Sequence, residues 1–379
     1  MTSMHIGIAG AGLLGRLLAW RLARAGHRVA VYDPTAGPEG VPRSRAPEPY
    51  QPTAAGFTAA GMLSPLAELD NAEPAVAALG WQSLRLWQHI AAALPGAPFF
   101  AAQGSLMVAH RADAGAARRV LDRLQAATAT PEWRALSPAE GVQPLDTAAL
   151  RALEPSVQGP TQAWLLPGEG QIDTGAMLGA LHGAATGAQW HWNQTVREVN
   201  AGETGGALAL ADGRVLAFDA VIDVRGAGAR PQMPVRGVRG EVVTLHASGH
   251  GLQRPVRLLH PRHTVYLVPR PGDRVLVGAS EIESEDRGPA SLRSVVELLA
   301  AAHSAVPALA EARILALDVN LRPALPDNNP RTEHGPRLLR INGLFRHGWL
   351  LAPALVDQAL RENGWVNGGI APDSVATSA

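Results

Sequence analysis

No cysteine occurs among the 379 residues, and none of the 33 cationic side chains is a lysine. The first absence excludes disulfides, thiolate nucleophiles, cysteine-ligated iron–sulfur or zinc sites, and a flavin tethered through sulfur. The second excludes Schiff-base chemistry, a pyridoxal anchor and a Walker-type phosphate loop. Formal net charge is zero, which argues against a general binder of nucleic acid or acidic membrane. No apolar run reaches the ~18 residues of a membrane-spanning helix. The first residues carry no basic region or cleavage site, so the cytoplasm is the expected compartment. No Gly-x-Ser-x-Gly elbow is present, which disfavours an α/β-hydrolase. His246 with His250, and His260 with His263, are interrupted by Gly or Pro and lack a helical His-Glu-x-x-His pattern, so no metal is expected. What remains is a chain 46% hydrophobic and 17% charged, suited to a globular protein with a sizeable core.

The opening is a complete βαβ unit. His5 to Ala9 is a short apolar run, Leu13 to Ala25 has helical spacing, and Gly26 stops that helix. Leu14, Leu17, Leu18 and Leu22 share one side, with Arg16, Arg21 and Arg24 elsewhere. Arg28 to Tyr32 is a second strand ending at Asp33. Between strand and helix lies Gly10-Ala11-Gly12-Leu13-Leu14-Gly15. Three glycines at this spacing allow a tight turn, close backbone approach to a pyrophosphate, and close helix–sheet packing, and the helix start favours the anion. Asp33, eighteen residues past Gly15, can accept hydrogen bonds from ribose hydroxyls. FAD and NAD share this fingerprint, and a single copy implies a single nucleotide partner.

Six prolines between Pro34 and Pro52 mark an irregular loop. Helices are expected over 75–94, 112–127, 173–185 with Asp173 or Thr174 as N-cap, and 289–303. Short β segments split by glycine fill 190–246, and 264–269 with 275–279 form a hairpin. Strand, strand and helix close the chain over 314–321, 338–341 and 351–360. The pattern implies a nucleotide-binding domain at the N-terminus, antiparallel β material inserted later, and a return to the first domain.

Four further segments stand out. Ala59-Ala60-Gly61-Met62-Leu63-Ser64-Pro65 lets backbone pass close to a flat ligand, although a tightly packed helix start reads the same way. In Tyr266-Leu267-Val268-Pro269-Arg270, the Tyr266 hydroxyl on a sheet wall suits a small polar substrate; a half-buried strand tyrosine is the plain alternative. In Leu321-Arg322-Pro323, the proline fixes an extended Arg322 whose guanidinium suits a carboxylate, against the alternative of a surface arginine. Gly343-Leu344-Phe345-Arg346-His347-Gly348-Trp349-Leu350-Leu351-Ala352-Pro353 reads as turn and helix start, whose free N–H groups would favour negative charge.

In this order, these segments resemble the FAD-dependent glycine oxidase and D-amino-acid oxidase family, bacterial glycine oxidases of thiamine biosynthesis above all. The resemblance spans roughly residues 4 to 362. It implies non-covalent FAD and a mixed α/β (α+β) fold. In that fold a Rossmann-type FAD-binding domain with a parallel sheet (1–75, 150–228, 315–370) is interleaved with an antiparallel substrate domain (76–149, 229–314), and 371–379 is a disordered tail. It implies that Arg322 pairs with the substrate carboxylate, that Tyr266 helps hold it, and that Arg346 is a second arginine of the site. Gly10, Gly12, Leu13, Leu14, Gly15, Asp33, Ala60, Gly61, Met62, Leu63, Val196, Gly226, Arg346, His347, Gly348, Trp349, Leu350 and Leu351 would contact the cofactor. Asp33 replaces a usual Glu, His347 stands where many relatives have Asn, and Glu281 stands where a relative has an apolar pocket residue. Glu281 either faces the site or joins Glu283, Glu285 and Asp286 in solvent.

The implied activity is oxidation of glycine or a small D-amino acid by molecular oxygen, giving imine, 2-oxo acid, ammonia and hydrogen peroxide, without a protein base and without an evident His–carboxylate couple. Its rivals are a dehydrogenase using another acceptor and a non-catalytic flavin-binding protein. The expected partners are a small amino acid and oxygen, with neither nucleic acid nor membrane and with a possible homo-oligomer.

Overall fold

The computed structural model describes residues 2–45, 53–130, 133, 141–260 and 264–370. The tail expectation for 371–379, most of the end of the proline-rich loop, and His263 lie outside the described residues.

The strand His5–Ala9 is apolar on both faces, as a central parallel strand must be. It pairs in parallel with Arg28–Tyr32 on one side and Ala220–Asp223 on the other. Among the described residues the sheet runs in the order 331–335, 338–342, 220–223, 5–9, 28–32 and 188–191, parallel except for Arg331–Gly335. Period-two alternation divides its side chains. Ile6, Ile8, Val29 and Val31 join the main core, which holds helices Leu13–Arg24, Thr174–Ala184 and Gly348–Glu362. Ala30, Tyr32 and Val221 face a small cluster under the antiparallel strands Val196–Ala201, Gly206–Leu210 and Val215–Phe218. Both faces are thus covered, as in a Rossmann-type fold.

A second sheet is mainly antiparallel, in the order 313–324, 236–246, 274–278, 264–270, 256–259, 105–109, 162–166 and 143–145. Arg236–His246 pairs with Arg313–Ala324 almost end to end. Helix Leu292–Ala305 packs on this sheet over its own apolar cluster. The helix starts three residues later than Pro289, because the Ser291 hydroxyl caps it by accepting from Ser294 N. Asp173 caps Thr174–Ala184 in the same way. Arg16, off the leucine side of its helix, is nevertheless buried. It is 1% exposed, and its guanidinium donates to the carbonyls of Ala11 (2.8 Å), Leu178 (2.9 Å) and Pro38 (2.6 Å). An arginine off the leucine face is buried because backbone carbonyls replace its water. No helix among the described residues is long and apolar enough to cross a membrane.

Candidate active site

One cavity of about 1290 Å³ lies between the two sheets and runs from the Gly10 turn to Tyr266 and Arg322. At its first end Gly10 adopts φ +107°, and a Cβ there would sit 2.6 Å from the Val224 carbonyl oxygen. A Cβ on Gly15 would stand 1.9 Å from the Gly10 oxygen, so Gly15 sets how closely helix and strand approach. A Cβ on Gly12 would meet nothing nearer than Ala54 Cβ at 3.5 Å, and no side chain caps the helix that follows. Its first N–H groups are therefore available to an anion. Asp33 closes this end, accepting from Ala11 N (2.6 Å) and Thr35 N (2.9 Å). Gly10, Gly12, Leu13, Leu14, Asp33, Val196 and Gly226 all line the cavity, with Gly15 behind them.

Midway, Ala60, Gly61 and Met62 form a wall. Gly61 has φ +64°, and a Cβ there would meet the Ile172 oxygen at 2.4 Å. The buried Arg270, the last residue of the tyrosine motif, donates to the Ala60 carbonyl and fixes that wall from behind. Burial pulls its pKa down to about 10. Opposite, Gly348, Trp349 and Leu350 present the uncapped start of Gly348–Glu362. Trp349 Nε1 donates to Gly56 O at 3.0 Å, and Trp87 Nε1 to Trp349 O at 2.7 Å, anchoring that helix start. Leu63 and Leu351 are buried behind the walls.

At the far end, the Arg322 side chain crosses the neighbouring strand. Its Nη1 donates to Arg239 O (3.3 Å) and its Nη2 to Ser280 O (3.1 Å). It also reaches the Tyr266 hydroxyl, whose pKa burial pushes up while Arg322, Arg257 and Arg270 act the other way. Two glycines make this possible. A Cβ on Gly240 would lie 2.6–2.7 Å from the Arg322 guanidinium, and one on Gly278 would lie 2.6–2.7 Å from the Tyr266 ring.

The same end holds a charged group that sequence reasoning missed. Glu68 Oε2 lies 3.3 Å from Arg346 Nη2 and 3.3 Å from His347 Nδ1, and Oε1 lies 3.9 Å from Arg257 Nη2. Burial alone would raise the Glu68 pKa, but His347, Arg346 and Arg257 together bring it below the usual value. Burial lowers the His347 pKa against the pull of Glu68 and Glu281. A His–carboxylate couple is therefore present, contrary to the expectation from sequence. In the sequence Glu68 is only an acid three residues past Pro65, at the end of a small apolar run. His347 itself sits behind the cavity surface, 6% exposed. Gly240 and Arg257 gave no signal, since their roles exist only across strands. Among the described residues, His, Asp and Glu side chains form no metal-binding cluster.

The residues fit a dinucleotide bearing a flat ring system. A glycine cradle with an uncapped helix start suits its pyrophosphate, and a second uncapped helix start faces the middle of the same cavity. A family model described as FAD dependent oxidoreductase (DAO) matches residues 5–357. A protein of Rhizobium etli assigned to thiamine biosynthesis as the oxidoreductase ThiO is 38% identical over 360 residues, covering 94% of this chain and 96% of its own. The crystal structure of glycine oxidase from Geobacillus kaustophilus superposes with TM-score 0.77 at 26% identity, covering 97% of this chain and 96% of that one. Iminodiacetate oxidase from Chelativorans shares the fold, with TM-score 0.76 at 22% identity over 94% and 95% of the two chains.

Proposed function

The chain belongs to the DAO family of FAD dependent oxidoreductases, and from that premise we propose that it oxidises glycine or a small D-amino acid with molecular oxygen, in service of thiamine biosynthesis. The amino acid, oxygen and water give the 2-oxo acid, ammonia and hydrogen peroxide. The observation that carries this reading is the meeting of Arg322 and Tyr266 in the cavity that also holds the nucleotide cradle.

Bound FAD supplies the two-electron acceptor. Gly10, Gly12 and the start of Leu13–Arg24 would hold its pyrophosphate, Asp33 its ribose, and Gly61, Met62 and the start of Gly348–Glu362 its ring system. Arg322 forks onto the substrate carboxylate with two parallel hydrogen bonds, and the Tyr266 hydroxyl donates to the same group. Two anchors on one carboxylate orient the Cα–H, and orientation is worth several orders of magnitude in rate. The amine binds neutral, so no residue need remove its proton. Glu68 holds Arg346 and His347 at the wall.

Glycine, sarcosine and small D-amino acids should bleach the flavin anaerobically and yield one peroxide per substrate in air. Bleaching without peroxide would identify a dehydrogenase, and no bleaching by any of them would identify a non-catalytic flavoprotein.

A further inference from the structure

The substrate end of the cavity carries more charge than one amino acid needs, and its balance is informative. Arg322, Arg346, Arg257 and Arg287 line it, together with Glu68 and Glu281. Arg346 and Arg257 share Glu68, which leaves Arg322 for one substrate carboxylate.

The backbone on either side of Glu281 is held by its neighbours. Ser280 directs its hydroxyl away from the site, onto Glu241 Oε2 (3.2 Å), while its carbonyl accepts Arg322 Nη2. Ile282 pairs through both backbone groups with Arg239, at 2.9 and 3.0 Å. Glu281 lies between these two tethers, in the irregular stretch that follows the strand Arg274–Gly278. Glu281 is exposed there and lines the cavity. The other acids of the segment turn outward to arginines: Glu283 to Arg236 (3.1 Å), Glu285 to Arg230 (2.9 Å) and Asp286 to Arg239 (3.0 Å). Arg287, also at the cavity, acts on Glu285. Glu281 is thus the member of this acidic segment set facing the site, one residue from the carbonyl that holds Arg322.

We propose that Glu281 is a specificity-determining residue that restricts the site to substrates with one carboxylate and turns away those with a second. This rests on the amino-acid-oxidation reading above. A second carboxylate would stand near Glu281 and meet a like charge there.

The test compares isosteres that differ only in charge. Wild type should favour D-asparagine over D-aspartate in kcat/KM by at least about tenfold, the size expected for like charges several ångströms apart at an effective dielectric near 20. Glu281→Gln, and Glu281→Met as a second variant, should lower that ratio severalfold. Dissociation constants of succinate and succinamate, read from perturbation of the flavin spectrum, should converge in the same variants. Glu283→Gln should move neither ratio. Ratios unchanged in both Glu281 variants, with wild type still bleached by glycine, would overturn the role of Glu281 alone. Wild type that glycine and both D-amino acids fail to bleach would overturn the amino-acid reading and this inference with it.

Discussion

The Arg322 guanidinium is held by two backbone carbonyls and Tyr266, and among the described residues no ion pair to a carboxylate is seen for it. Its charge is therefore available to a substrate. Arg322→Ala should abolish amino-acid turnover, by at least about a hundredfold, while leaving flavin content unchanged. Arg322→Lys should recover little, because an ammonium cannot reproduce the planar fork. Near-normal glycine turnover by Arg322→Ala would move the carboxylate site elsewhere. Gly240 gives an independent check. A methyl group there overlaps the guanidinium at 2.6–2.7 Å, so Gly240→Ala should raise KM for glycine at least about tenfold at unchanged flavin content. A normal KM would mean that Arg322 does not need its observed position. In the sequence, Pro323 and strand alternation left a surface arginine and a half-buried tyrosine open, and it was the family resemblance that singled out Arg322 and Tyr266. Gly240 was not legible, because only pairing between two strands far apart in the chain reveals what it makes room for. Glu68 was equally hidden, since its partners Arg257, Arg346 and His347 lie far along the chain.

The short helix Pro65–Glu68 that carries Glu68 is secured from outside the cavity by one buried carboxyl. Glu169, 0% exposed, accepts from Ala67 N at 2.9 Å and from the Ser105 hydroxyl. It thereby joins that helix to the strand Ser105–Ala109 and to the turn before Gly170–Ile172. Burial pushes its pKa up to about 7, against the hydrogen bonds that favour the ionised form. A carboxyl whose folded pKa exceeds its unfolded value binds a proton more tightly when folded. Its contribution to stability is complete below the ordinary carboxyl range and is lost as pH rises through about 7. Glu169→Gln, which keeps the shape and stays neutral, should therefore gain stability relative to wild type as pH rises from about 5 to 8, by on the order of 2 kcal/mol. Melting temperatures across that range provide the measurement, and a difference independent of pH would show that Glu169 titrates normally. Elements as such were largely readable. The βαβ unit, the 264–270 and 274–278 hairpin and the Asp173 cap all follow from local patterns. The late start of Leu292–Ala305 and the burial of Arg16 did not, because a serine cap and three distant carbonyls decide them.

At the scale of the molecule, the cavity is assembled from segments spread from Gly10 to Leu350. Sequence patterns identified the two kinds of sheet but not their strand orders, since a parallel neighbour such as Leu338–Asn342 joins Ala220–Asp223 across more than a hundred residues. A cofactor lying in such a cavity touches parts of the chain that no local contact unites, so it should stabilise the whole. FAD is the family's cofactor, and the chain offers no cysteine for attachment. Acid precipitation should therefore release the yellow chromophore into the supernatant, and colour retained by the pellet would reveal a covalent link, through a histidine for instance. Because the cofactor binds the folded chain, free FAD at a hundred times its dissociation constant should add about 2.7 kcal/mol of stability. The melting temperature of apoprotein should accordingly climb with the logarithm of added FAD, and NAD at the same concentrations should leave it unmoved. A rise with NAD, or none with FAD, would mean that the glycine cradle at Gly10 and the helix start at Gly348 are not occupied by the same ligand.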